Sequence, residues 1–178
     1  MALIPSNRTP SAFFILSIVA FNFAIDRLTK IAAEVYLQGH GTFHVIGNYF
    51  ILFFAHNKGA FLSMGSTMGA WMRLGLLAIA PTILLLGGLF ILIKNRKRLD
   101  FIHRVIWATL IGGGLSNVYD RFFNDGQVVD FMNFGIGNLR TGILNVADLS
   151  ITFSALALFI LSLRKDKKAL QIHRKAFY

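Results

Sequence analysis

Four stretches of this chain, Ala12–Ala32, Trp71–Ile93, Phe101–Tyr119 and Ile143–Leu163, are apolar enough and long enough to cross a membrane, and few folds remain once they are placed. About 20 residues of helix span the roughly 30 Å of a bilayer's hydrocarbon, with every backbone polar group satisfied internally. The predicted fold class is therefore a membrane all-α, four-helix transmembrane bundle, and all 178 residues read as a single integral membrane domain. A hydrophobic content of 55% and a mean hydropathy of +0.61 exclude an ordinary soluble protein. The first stretch follows Arg8 and superficially resembles a secretion signal. Its apolar run is long and no small-residue cleavage site follows, so it reads as a retained anchor.

Four crossings put both termini on one side, and the charges say which. One side holds Arg8, the loop from Lys94 to Arg104 and the tail after Leu163, with twelve basic residues against Asp100 and Asp166. The other side holds six basic and six acidic residues. The whole formal charge of +10 thus lies on one face, which the positive-inside rule makes cytoplasmic. The basic residues set topology and attract anionic lipid; they flank spans without interleaved aromatics, so nucleic acid is not an expected partner.

Between the first two spans, an external segment of residues 33–70 is too long for a turn. Its portion Thr42–Ala55 is rich in aromatic and β-branched residues around Gly47-Asn48, which predicts short strands about a bend. Lys94–Asp100 is a tight basic connection. Asp120–Gly142 carries four glycines and reads as a turn-rich, shaped loop, and residues 164–178 as a frayed, basic cytoplasmic tail.

Against this background the acidic residues are informative. Asp26 lies near the outer end of the first span, Asp120 at the outer end of the third, Asp130 in the next loop and Asp148 at the head of the fourth. A carboxylate entering lipid costs several kcal/mol unless paired or hydrated, and all four can meet at the external lipid–water boundary. Lys30 lies four residues after Asp26, Asn117 three before Asp120 and four before Arg121, and Asn145 three before Asp148, all in helical register. Two carboxylates within hydrogen-bond reach share a proton, which supplies an acid and a base near neutral pH. Peptide hydrolysis needs that combination, and Asp130 and Asp148 can supply it from separate elements.

Blander readings stand beside this one. Asp26 and Lys30 suit an intrahelical ion pair, Asp120 and Arg121 a helix-end pair, Asp125 a turn, and Asn145 with Asp148 a helix cap. The residues alone leave three possibilities for Asp130 and Asp148: a catalytic pair, a buried structural network, or a proton or cation pathway. The chain has no cysteine, and Glu34 is its only glutamate. Without a H-E-x-x-H or G-x-S-x-G motif, no metal site and no serine elbow are expected. The glycines at 112–114 and 87–88 lie within spans and suit close helix packing.

The blocks Asp26-Arg27-Leu28-Thr29-Lys30, Asn57-Lys58-Gly59-Ala60, Gly113 to Arg121, Val128-Val129-Asp130-Phe131 and Asn145-Val146-Ala147-Asp148, in this order and registered to four spans, resemble the lipoprotein signal peptidase (type II signal peptidase) family. The resemblance implies a bacterial inner-membrane aspartyl endopeptidase that removes signal peptides from diacylglyceryl-modified prolipoproteins. It implies that Asp130 and Asp148 are the catalytic pair. Asn57, Gly59, Asn117, Arg121, Asn145 and Ala147 would line the site or support the dyad, and Asp26 and Lys30 would form a supporting polar pair. It further implies no cofactor, membrane lipid as the medium of encounter, and a small extracytoplasmic β-cradle with an interfacial helix within residues 33–70. The family usually has a proline and an aromatic where this chain has Arg140-Thr141-Gly142-Ile143-Leu144, and Ala-aromatic where it has Phe61-Leu62. Neither departure removes a titratable group. The runner-up function, a proton- or cation-translocating protein using the same carboxylates, expects polar residues through the bilayer, yet Ile83–Ile93 and Phe153–Leu163 are almost wholly apolar.

Overall fold

The computed structural model describes residues 11–59 and 68–176. Helix α1 (Ala12–Leu37) starts where the Ser11 hydroxyl accepts a hydrogen bond from the Phe13 N–H at 3.1 Å. It runs past the predicted end at Ala32 because Ala33 and Leu37 pack on Phe131, Met132 and Leu144. Helix α2 (Ala70–Lys94) contains a π-helical stretch, Leu74–Ile79. Pro81 has no N–H to give, and the widened turn, in which the Ala80 N–H bonds to the Gly75 carbonyl, passes that defect. The Thr82 hydroxyl donates to the Ala78 carbonyl one turn back at 2.7 Å.

Helix α3 (Phe101–Phe123) is capped by Asp100, which accepts from the His103 N–H at 2.8 Å. Helix α4 (Val146–Ala176) begins three residues later than the expected start at Ile143, because Leu144 is held by the sheet. It also continues through the basic residues that read as a frayed tail. Lys, Arg, Ala, Leu and Gln are all good helix formers, so nothing there breaks the ladder.

Among the described residues three helices are long and apolar enough to cross a membrane: α1, α2 and the Val146–Arg164 part of α4. Many of their large side chains face outward, among them Phe13, Ile83, Leu84, Phe90 and Phe153. Such exposure is what lipid, rather than water, accommodates. Helix α3, predicted as a fourth span, differs for a physical reason. It sits among the other three and buries Ala108, Ile111, Gly112–Gly114, Ser116, Asn117, Val118 and Asp120, so its composition answers to protein and not to lipid. An ideal cylinder of its 23 residues is still about 35 Å long.

Three consecutive glycines let α3 take that central place. Successive residues turn 100° around a helix, so each faces a different neighbour. A Cβ on Gly112 would lie 2.6 Å from the Val19 carbonyl oxygen of α1; on Gly113, 3.0 Å from the Ala147 oxygen of α4; on Gly114, 2.7 Å from the Leu85 side chain of α2. Gly87, also expected to permit close packing, instead faces open space, and Gly88 meets only Ile111 at an ordinary 3.9 Å.

The strands form one antiparallel sheet in the order β1 (Phe43–Ile46), β2 (Phe50–Asn57), β3 (Val128–Ile136), β4 (Leu139–Arg140). The first two are the strands read from Thr42–Ala55, turning at Gly47-Asn48. Strands β3 and β4 lie in the segment that read as a shaped loop. Their signal, Val128-Val129 and the Phe131–Phe134 aromatics, is interrupted by Asp130 and Asn133, whose polarity only the fold satisfies. Apart from the end of α1 and Ala70, where α2 begins, no helix, and so no interfacial helix, occurs among the described residues of 33–70; the Phe61-Leu62 departure lies among residues 60–67, outside the described set.

Gly112→Ala is expected to destabilise the detergent-purified protein by about 1–3 kcal/mol, because the atom it meets is fixed backbone. Gly87→Ala, which meets nothing, should be neutral or slightly stabilising by thermal unfolding.

Candidate active site

Lys30 is the centre from which the polar residues are arranged. It is fully buried, and its ammonium lies 2.6 Å from Asp26 Oδ2, 2.8 Å from Asp120 Oδ2 and 2.8 Å from Asn117 Oδ1. Three donors meet three acceptors, so a cation that would be prohibitive in an apolar interior is saturated. Asp26 and Asp120, also fully buried, each carry the contact outward. Asp26 Oδ1 accepts from the Ala147 N–H (2.7 Å) and Oδ2 from the Ser116 hydroxyl (2.7 Å). Asp120 accepts from Arg27 and from the Val129 N–H at 3.3 Å. Thus Asp26 holds the first turn of α4, one residue from Asp148, while Asp120 holds β3, one residue from Asp130.

The intrahelical Asp26–Lys30 pair is present as the spacing suggests, but it joins four elements rather than tethering one helix. The expected Asp120–Arg121 pair is not formed. Adjacent helical residues point about 100° apart, and Arg121 instead donates to the carbonyls of Asn117 (3.1 Å) and Gly59 (2.9 Å). Arg27 and Ser116 belong to this network without having been singled out in the sequence. Ser116 lies four residues before Asp120, so the helical register that selected Asn117 was available for it too.

A second set of contacts brings Asp130 and Asp148 together. Leu144 bridges Met132, and its carbonyl accepts from the N–H groups of Phe131 (2.9 Å) and Met132 (2.8 Å), so the chain entering α4 lies beside Asp130. There Asn145 and Asp148 form a capping box: the Asp148 N–H donates to Asn145 Oδ1 at 2.9 Å and the Asn145 N–H to Asp148 Oδ2 at 3.1 Å. The Asn145 amide nitrogen donates to Asp130 Oδ1 at 2.6 Å and to Asn117 Oδ1 at 3.1 Å. Asn117 in turn donates to Asp148 Oδ1 at 2.9 Å. On the sheet, Ala55 pairs with Asp130 and Asn57 with Val128, which sets Asn57 diagonally beside Asp130 on one face. The Asn57 amide donates to Asp130 Oδ2 at 2.9 Å, while its oxygen accepts from the Gly59 N–H at 2.9 Å.

The site residues read from the resemblance therefore lie, with Asp120, in one connected network: Asp26, Lys30, Asn57, Gly59, Asn117, Arg121, Asp130, Asn145, Ala147 and Asp148. Burial raises the Asp130 carboxyl to about 7, and the neighbouring Asp148 charge adds to this. Hydrogen bonds from Asn57 and Asn145 and the charge of Lys30 act the other way without cancelling it.

Two cavities reach the carboxylates from different sides. An apolar cleft of about 360 Å³, walled by Leu77, Pro81, Leu84, Leu85 and Leu110, ends at Asn117, Arg121 and Asp148. A more polar one of about 280 Å³, between Ala55–Asn57 and Thr141–Ile143, ends at Asp130. Part of the Arg140–Leu144 departure thus lines this second opening. Arg140 itself is sewn to the sheet by donating to Asn133 and to the Asn48 carbonyl (2.8 Å). No group of residues suited to hold a metal ion occurs among the described residues.

A helical membrane protein whose two cavities each end on a hydrogen-bonded carboxylate has the build of a membrane enzyme. The family model described as signal peptidase (SPase) II matches residues 18–164, and the chain belongs to that family. Lipoprotein signal peptidases of Paraburkholderia phymatum and Treponema denticola are similar to it. The first is 31% identical over 157 residues, covering 86% of this chain and 90% of the relative. The second is 34% identical over 169 residues, covering 91% and 97%. Two solved structures of a bacterial membrane enzyme, determined by the in meso method, align with TM-scores of 0.72 and 0.68 at 27% identity. They cover 86% of this chain and 89% and 94% of their own. Family membership makes the chain a protease, and with its apolar helices implies an inner-membrane protein.

Lys30→Met is expected to cost about 3–5 kcal/mol in thermal unfolding, because it strands two buried carboxylates. Adding Asp26→Asn should recover part of that loss, since Asp120 keeps Arg27.

Proposed function

We propose that the chain is an aspartic endopeptidase that removes signal peptides from diacylglyceryl-modified prolipoproteins, with Asp130 and Asp148 as its catalytic dyad. The observation that carries this reading is Asn145. One residue holds both carboxylates, Asp130 through its amide nitrogen and Asp148 through the capping box. A structural network needs no such shared clamp between two groups that each face a cavity.

Charge balance supports the same reading. Lys30, Arg27 and Arg121 bring three positive charges, and Asp26 and Asp120 two negative ones. A dyad sharing one proton contributes the third and leaves the site neutral, the arrangement a low-dielectric interior favours. Asp130, raised to about 7, is assigned the shared proton, which it keeps up to about neutral pH. Asp148 sits at the positive end of α4, where negative charge is favoured. In the proposed cycle Asp148 takes a proton from water as the water attacks the scissile carbonyl, and Asp130 protonates the carbonyl oxygen. Collapse of the tetrahedral diol returns a proton to the leaving amine.

The proposed topology is four spans, α3 included, with both termini cytoplasmic and the dyad at the outer leaflet boundary. The 12:2 charge asymmetry supports it. A substrate signal helix then arrives by diffusion in the bilayer and enters the apolar cleft. The sheet, carrying Asn57 and Asp130, serves as the cradle for the extended segment to be cut. A carrier of protons or cations is less well supported: the cluster of Ile15, Val19, Leu92, Ala108 and Ile111 fills the inner half with apolar side chains.

Asp130→Asn and Asp148→Asn are each expected to lower cleavage of a diacylglyceryl-modified prolipoprotein at least about a thousandfold while the protein still inserts. Full activity in either variant sinks the assignment. The rate should also fall as pH rises through about 7, approaching tenfold per unit as the dyad loses its proton; a cleavage profile flat from pH 6 to 9 contradicts that role for Asp130.

A further inference from the structure

A third cavity, of about 210 Å³, shares no residue with the two that reach the dyad. It is lined by Ala70, Trp71, Arg73, Leu74, Asp125 and Gly126, at the adjoining ends of α2 and α3. Arg73 is the only charged residue of α2 before Lys94 at its far end. Its Nε is completely buried and has no hydrogen-bond partner among the described residues. Asp125 stands in the same cavity, in a left-handed turn (φ 51°) that Gly126 continues (φ 75°) and that the Gly126 N–H closes by donating to the Arg121 carbonyl at 3.0 Å. Among the described residues neither Arg73 nor Asp125 takes part in an ion pair. A cation and an anion thus line one small cavity without touching. Trp71, 87% exposed, stands at its edge where an indole marks the level of lipid headgroups.

Opposite charges held apart in one pocket are satisfied together by a ligand that carries both signs. We propose that this cavity binds the headgroup of a phosphoethanolamine lipid, its phosphate on Arg73 and its primary ammonium on Asp125, with Trp71 against the glycerol region. The guanidinium supplies forked donors to a phosphate, and the carboxylate accepts from an ammonium. A choline headgroup has no N–H to donate, and a glycerol headgroup has no cation, so each satisfies one half of the pocket. Free phosphate also satisfies only Arg73, and sets its own charge against Asp125.

The test uses the full-length, detergent-purified, delipidated chain. Dioleoyl phosphatidylethanolamine, phosphatidylcholine, phosphatidylglycerol and inorganic phosphate are titrated separately, and retained adducts are counted by native mass spectrometry. Phosphatidylethanolamine is expected to bind at least about fivefold more tightly than the other two lipids. Arg73→Gln should lose that binding, and Asp125→Asn should bring phosphatidylethanolamine down to the level of phosphatidylcholine. Cleavage activity in detergent, unchanged in both variants, reports that they are folded. Equal retention of all three lipids by the parent, retention unaltered by either substitution, or displacement of the lipid by millimolar inorganic phosphate overturns the proposal.

Discussion

The structure depends on the ammonium of Lys30 and the two carboxylates that hold it. None of the three is exposed, and any one alone would be among the costliest groups to bury. Together they are saturated, and their remaining oxygens fasten neighbouring elements: Asp26 the start of α4, Asp120 the start of β3. A buried ion cluster adds little net stability compared with well-packed apolar side chains. Its value here is positional, since it fixes two elements that each present an aspartate to the same place.

That place is reached by short-range devices acting in series. Glycines at 112, 113 and 114 let α3 approach three helices at once, so Ser116, Asn117 and Asp120 arrive within hydrogen-bond reach of α1 and α4. Leu144 ties the entry to α4 onto β3, and the capping box starts the helix at the next residue. The asparagines at 57, 117 and 145 then link the carboxylates by donors that carry no charge of their own. Neutral donors restrain an aspartate while placing no full charge beside it.

The membrane explains why the polar groups are gathered so tightly. Outward-facing surfaces are given to lipid, so a charged residue on these helices must find a partner inside or reach the headgroups. Arg27, Lys30 and Arg121 take the first course. Arg73, beside an exposed tryptophan and across a small cavity from Asp125, stands where the second is available.

Much was legible in the chain itself. Apolar runs located the helices, the bend at Gly47-Asn48 located the first hairpin, and helical spacing grouped Asp26 with Lys30 and Asn145 with Asp148, because these signals are local. Membership of the polar cluster was also legible, since Asp26, Asp120 and Asp148 lay near span ends and Asp130 in the loop between the last two. The partners within it were not. Asp120 chose Arg27 and Lys30 over its neighbour Arg121, and β3 formed where polar residues interrupt the strand pattern, because both depend on surfaces brought from distant parts of the chain. Sequence alone determined which residues must avoid lipid. Only the tertiary structure decided which of them meet, since a buried charge is settled by the geometry of all its neighbours at once.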